Sequence, residues 1–208
     1  MKSAALTTCA LLALAAFTPA TPGSPATPEE EVLSPLRQRI DRLAAELARA
    51  DSVYRADVEP IERMLRPFST DSLLVRRVSL ALVREARSTG LAPGLLTSVL
   101  LVENPWLDPA ARSFVGAVGL MQVMPFHAGE WECESDDLEN IEANICHGSR
   151  IFARLLDRSD GDVERALLRY NGCVHGRNTP DCHEYPAKVY ARAGQALIRG
   201  WIQAVPSP

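Results

Sequence analysis

Two kinds of pattern are missing from this 208-residue chain. No run alternates apolar and polar residues for long enough to require a central sheet, and no fixed-period repeat marks a solenoid or propeller. Basic charge is also short: the net charge is −4 and no basic stripe interrupts it, which argues against a nucleic-acid partner. No two cysteines stand in the CxxC spacing of a typical zinc motif. The longest apolar run, "AALTTCALLALAAF" (Ala4–Phe17), is too short to cross a bilayer, so no stable membrane span is expected. What is present, 47% hydrophobic and 23% charged residues, suits one globular domain with a real core.

The short apolar run follows Lys2 and precedes small residues, the pattern of an export signal over residues 1–26, with cleavage expected after Ala20 or Ala26. That predicts a periplasmic or cell-envelope location and assigns Cys9 to the signal. Four cysteines remain: Cys133, Cys146, Cys173 and Cys182. An even number in an oxidising compartment predicts two disulfides, with three pairings open and sequence proximity favouring Cys133–Cys146 and Cys173–Cys182. A zinc site drawing on His147, His175 or His183 is the competing reading, and the spacing disfavours it.

The rest reads as mostly α. In an N-terminal helical extension over residues 29–67, Leu36, Ile40, Leu43 and Leu47 form one amphipathic stripe, a contact face either for the following domain or for a partner in the envelope machinery. Asp71 is an N-cap for a helix ending near Gly90. Pro93 suits the first turn of the next helix, and Asn104, standing before Pro105, must leave helical geometry and stop it at Glu103. A long helix is expected from Asn140 to Asp157, a shorter one from Asp162 to Gly172, and a last one through Tyr185, Val189 and Ala193.

Glu103 is the anomaly. Leu96, Val99, Leu100 and Glu103 share one helical face, and Leu95, Leu101 and Val102 make the other sides apolar too. Such a helix is normally buried. A carboxyl in its last turn meets desolvation and the negative helix terminus, and both raise its pKa, as a general acid requires. A solvated glutamate at a helix end is the plainer alternative. In "GAVGLMQVMP" (Gly116–Pro125), the glycines permit unusual backbone angles and close ligand approach. There Gln122 offers a donor and an acceptor among apolar residues, which suits amide and hydroxyl groups such as those of an acetylated sugar. In "LLRYNGC", Tyr170 and Asn171 close a helix, and a buried tyrosine hydroxyl needs a partner.

Taken in this order, these three segments resemble the catalytic domain of the soluble-type (SLT) lytic transglycosylases, relatives of goose-type lysozyme. The resemblance runs from about Asp71 to Ala193 and matches a helix-ending Glu103, Ser113 in the following loop, "GAVGLMQVMP", and Tyr170–Asn171. "NIEANICHGSRIFARLL" resembles the family's Asn-Ile-start helix, and "PDCHEYPAKV" its closing segment, with Tyr185 in the tyrosine place. The loop from Glu103 to Ser113 is one residue longer than the common pattern. Asp181 stands where the family often has Glu, and is given no catalytic role.

The resemblance implies a lysozyme-like α domain over residues 71–203, with peptidoglycan glycan strands as substrate and no metal or organic cofactor. Glu103 would protonate the MurNAc-β-1,4-GlcNAc oxygen and then act as base on the C6 hydroxyl, giving a 1,6-anhydro product. Gln122, Tyr170, Asn171 and Ser113 would orient Glu103 or bind the N-acetyl group, with Gly119 and Met121 lining the cleft and Tyr185 nearby. Two alternatives are a hydrolase with a second carboxylate from Asp108, Glu130 or Glu132, and a non-catalytic glycan-binding protein of the envelope.

Overall fold

The computed structural model describes residues 28–173 and 181–204. The expected export segment and His175 lie outside these residues. The chain divides into two compact units, residues 1–46 and 47–208. Over its described residues the first is the greater part of one helix, α1 (Pro28–Val53), on which Leu36, Ile40 and Leu43 are exposed.

The second unit holds the end of α1, a π-helical turn (Tyr54–Val58) and six further helices: α2 (Glu59–Leu65), α3 (Ser72–Thr89), α4 (Pro93–Glu103), α5 (Ile141–Asp157), α6 (Val163–Tyr170) and α7 (Tyr185–Ala204). Among the described residues, β-structure is confined to two isolated bridges, Arg112–Val118 and Val118–Val123. The fold is mostly α and lysozyme-like.

The predicted helix ends are explained by their caps. Asp71 accepts from the amides of Leu73 (2.9 Å) and Leu74 (3.0 Å), and Gly90 closes α3 in the left-handed region at φ 72°. Asn140 accepts from the Ala143 amide (3.0 Å) at the start of α5, and Asp162 from the Arg165 amide (3.0 Å) at the start of α6. Each cap satisfies one or two of the amides that a helix start leaves unpaired.

Within this unit α3 packs on α5, α4 on α7, and α5 on α6. Val58, Ile61 and Leu65 carry the π turn and α2 into the same core, so the compact unit begins well upstream of Asp71. Glu62, also buried, accepts hydrogen bonds from Tyr54 (2.5 Å), Arg66 (3.0 Å) and Arg76 (3.3 Å), linking α2 to α3. Burial opposes its ionisation, but those three donors outweigh it and hold the carboxyl below its ordinary range.

Helix α4 runs through the middle. Leu96, Val99 and Leu100 are wholly buried and Leu101 nearly so, each worth about 1.5–3 kcal/mol in removal from water. Thr97 and Ser98 are buried as well, which is tolerable because their hydroxyls donate back to the carbonyls of Pro93 (2.8 Å) and Gly94 (2.7 Å). The helix stops where expected: Asn104 adopts φ −145°, ψ 81° ahead of Pro105. This places Glu103 at the end of a largely buried helix.

Candidate active site

Glu103 is half-buried at the end of α4. Desolvation raises its pKa from the ordinary 4.5 to about 7, against the opposing pull of one hydrogen bond, from Tyr185. The Tyr185 hydroxyl donates to Oε1 of Glu103 at 2.5 Å. Tyr185 is the first residue of α7, and α7 packs on α4, so the pair joins the end of one helix to the start of another. Burial first, then the nearby Glu103 charge, push the tyrosine's own pKa well above its ordinary value, so it stays a proton-bearing donor.

Tyr170 stands in the same cluster, its pKa also raised by burial and by the Glu103 charge. Its hydroxyl, however, donates to the main-chain oxygen of Met121 at 2.8 Å. The partner that a buried tyrosine requires is thus the "GLMQ" segment for Tyr170 and the carboxyl for Tyr185.

The segment between α4 and α5 folds back on itself beneath the carboxyl-bearing helix end. Val118 and Val123 exchange both main-chain hydrogen bonds at 2.9 Å, and the Gly119 amide donates to Ala111 (2.8 Å). Ser113 closes the adjoining turn: its amide and that of Ala117 bond across it, the latter to the Ser113 hydroxyl, each at 2.9 Å. Gln122 sits at the apex with φ 48°, unusual for a residue with a Cβ. Its Nε2 donates to Gly119 O at 2.8 Å, which fixes the side chain and leaves Oε1 without a partner among the described residues.

Two asparagines that the motifs do not single out hold this segment in place. Asn144, on α5 and 1% exposed, donates to Val118 O and Leu138 O (both 2.9 Å) and accepts from the Met121 amide (2.7 Å). Asn104, next to Glu103, donates to Asp108 O (2.7 Å) and Gly119 O (3.2 Å) and accepts from the Asp108 amide (3.2 Å). A signal for Asn144 does exist: an asparagine flanked by Ile141, Ala143 and Ile145 in an apolar helix face must find buried partners.

Glycines make the fit possible. A Cβ on Gly119, whose φ is 80°, would lie 2.3 Å from Asn144 Nδ2 and 2.5 Å from Leu138 O; one on Gly148 of α5 would lie 2.6 Å from the Met121 Cβ. The main-chain groups of Gly119 and Met121 are thereby engaged within the protein, while Gln122 faces a cleft of about 400 Å³ that it shares with Tyr170. Asn171 follows Tyr170 at the C-cap of α6, its amide donating to Leu167 O (3.1 Å).

Both disulfides pair near neighbours, Cys133–Cys146 with Cα atoms 6.0 Å apart and Cys173–Cys182 at 5.4 Å. Cys182 lies three residues before Tyr185, so the second bridge ties the end of α6 to the start of α7. His147 is a core residue whose Nε2 faces Ser135 O at 3.1 Å. Among the described residues no cluster of His, Cys, Asp and Glu could hold a metal. Of the candidate second carboxylates, Asp108 is exposed and turned onto the Ala110 amide (2.9 Å), Glu130 is paired with His127 (2.8 Å), and Glu132 is exposed.

A family model covers this part of the chain. Residues 82–179 fit the family model described as the transglycosylase SLT domain. The chain is 37% identical over 103 residues to a protein of Enterobacteria phage PRD1 named "Transglycosylase", an alignment covering 48% of this chain and 36% of the phage protein. The chain thus spans about a third of the length of that curated relative. Over residues 82–179, which contain Glu103, the "GLMQ" segment and Tyr170–Asn171, this chain matches the model of the transglycosylase SLT domain.

Proposed function

We propose that the protein is a peptidoglycan lytic transglycosylase acting on the MurNAc-β-1,4-GlcNAc bond, with Glu103 as its acid and base. The observation that carries this is a carboxyl with a pKa near 7 bonded to Tyr185. Protonated, Glu103 gives its proton to the glycosidic oxygen as the C1–O4 bond breaks, and the GlcNAc portion leaves as an alcohol. The resulting carboxylate, held by the Tyr185 hydroxyl, then removes the proton from the sugar's own C6 hydroxyl. That oxygen bonds to C1, closing the 1,6-anhydro ring and restoring the acid. No water is consumed. An internal hydroxyl acts at high effective concentration, so it does not need a second carboxylate to activate it.

Consistent with this, no neighbouring carboxylate contributes to the raised pKa of Glu103 among the described residues. Gln122 Oε1 and Asn171 are assigned to the acetamido and hydroxyl groups of the strand, while Gly119, Met121, Tyr170 and Ser113 hold the loop that presents them. Export by residues 1–26, with work in the periplasm or envelope, belongs to the same reading, as does a contact of α1 with envelope machinery. Mass spectrometry of digested sacculi tests it: anhydro-muramoyl ends are expected, whereas reducing ends would mean a hydrolase. No new ends of either kind would mean a glycan-binding protein.

A further inference from the structure

The cleft beside Gln122 and Tyr170 carries a charge feature that acid–base cleavage of a glycan does not require. Its lining includes Arg154, Arg158 and Arg169 together with Trp131, His127 and Glu130. Arginines late in a helix complement its dipole, but here three converge on one concavity in a protein of net charge −4.

Their partners leave charge to spare. Arg154 lies over the Trp131 ring, 5.4 Å from its centroid, a contact that leaves the guanidinium edge free to donate. Arg169 donates through Nη1 to Arg158 O (2.6 Å) and Ser159 Oγ (3.1 Å), anchoring the turn that carries Arg158. Among the described residues none of the three has a carboxylate partner, and the one acid lining the cleft, Glu130, is already paired with His127 at 2.8 Å. A cleft lined by one sign of charge concentrates ligands of the other sign, and the guanidinium fork fits a carboxylate with two parallel hydrogen bonds.

We infer that Arg154 and Arg158 form a carboxylate-binding subsite for the acid groups hanging from the muramoyl residues of the strand. This rests on the peptidoglycan reading above and sharpens it, because two sources supply that chemistry: the peptide stem, or the bare lactyl group left when the stem is removed. The glycan backbone itself carries no carboxylate. The arginines therefore make the enzyme select muramoyl substrates over a plain N-acetylglucosamine polymer.

The test is binding, measured by calorimetry with Glu103→Gln protein so that no ligand is cut during titration. Three tetrasaccharides serve as probes: disaccharide repeats bearing peptide stems, the same strands stripped of stems by an amidase, and chitotetraose. The stem-bearing strand should bind several-fold tighter than chitotetraose. Adding Arg154→Gln and Arg158→Gln should weaken it roughly fivefold to tenfold while the chitotetraose affinity stays as it was.

If only the stem-bearing strand weakens, the ligand is a carboxylate of the stem; if the stripped strand weakens as much, the subsite also takes the lactyl carboxylate, which the stem-bearing strand ties up as an amide. Either result upholds the subsite. Equal affinities with and without the arginines would overturn it, as would a common loss on all three probes, which would signal general damage to the cleft. Failure of chitotetraose and muramoyl strands alike to bind the parent Glu103→Gln protein would instead refute the peptidoglycan reading itself.

Discussion

At the scale of single residues, the site turns on how much charge Glu103 can bear. On the proposed mechanism, Glu103→Gln keeps the shape and removes the proton meant for the leaving group, so cleavage of sacculi should fall at least about a thousandfold. Circular dichroism should show the fold retained. The same variant has a stability signature. With a folded pKa of about 7 against 4.5, native Glu103 binds more protons than the unfolded chain between those values. Its stabilising share is complete below pH 4.5 and lost as pH rises through 7. Wild type should lose roughly 2–3 kcal/mol across that window relative to Glu103→Gln, which urea melts at pH 4 and pH 8 would measure.

Tyr185→Phe acts in the opposite sense on the titration. The donor that favours the carboxylate is gone, so the pKa of Glu103 climbs, and the alkaline limb of the pH–rate profile should move up by about half a unit to one unit. Turnover should also drop roughly tenfold, because the ionised glutamate formed on proton transfer loses its hydrogen bond. An unshifted limb would show that Tyr185 does not govern Glu103 in solution.

At the scale of elements, the site depends on a short loop clamped between helices. Asn104 holds it from α4, Asn144 from α5 and Tyr170 from α6. Gly119 is where the clamp is tightest. Gly119→Ala would force a Cβ into Asn144 and Leu138 O at a positive φ, so it should lower stability by roughly 2–4 kcal/mol. Thermal melts would register this, and activity should fall further than the unfolded fraction accounts for, because Gln122 is fixed through Gly119 O. The motif pattern marked this loop as special but not how it is held. Its hydrogen bonds span up to 49 residues of sequence, beyond the reach of any local periodicity.

At the scale of the whole molecule, the Cys173–Cys182 bridge links the loop-facing helix α6 to the tyrosine-bearing helix α7. Replacing both cysteines by serine should cost about 2–3 kcal/mol, the chain-entropy value for a loop of this size. It should also loosen the start of α7 and shift the pH–rate limb in the direction of Tyr185→Phe, at unchanged secondary structure. A fall in melting temperature with the limb in place would confine the bridge to stability. Product analysis on sacculi remains the experiment that reads the molecule as a whole.

Local patterns were enough to place the helices, because caps, the Pro93 start and the stop before Pro105 act within four residues of themselves. They were also enough to mark Glu103, since an acid ending an apolar helix is conspicuous without a fold. Which tyrosine meets it was not legible: Tyr170 ends one helix and Tyr185 begins the next, and only the packing of α7 on α4 brings Tyr185 to the carboxyl. The same holds for Asn104 and Asn144, and for the convergence of Arg154, Arg158 and Arg169 on one cleft. Burial, and with it the free energy of holding a charge, is a property of distant chain segments brought together, so the pKa of Glu103 was decided only in three dimensions.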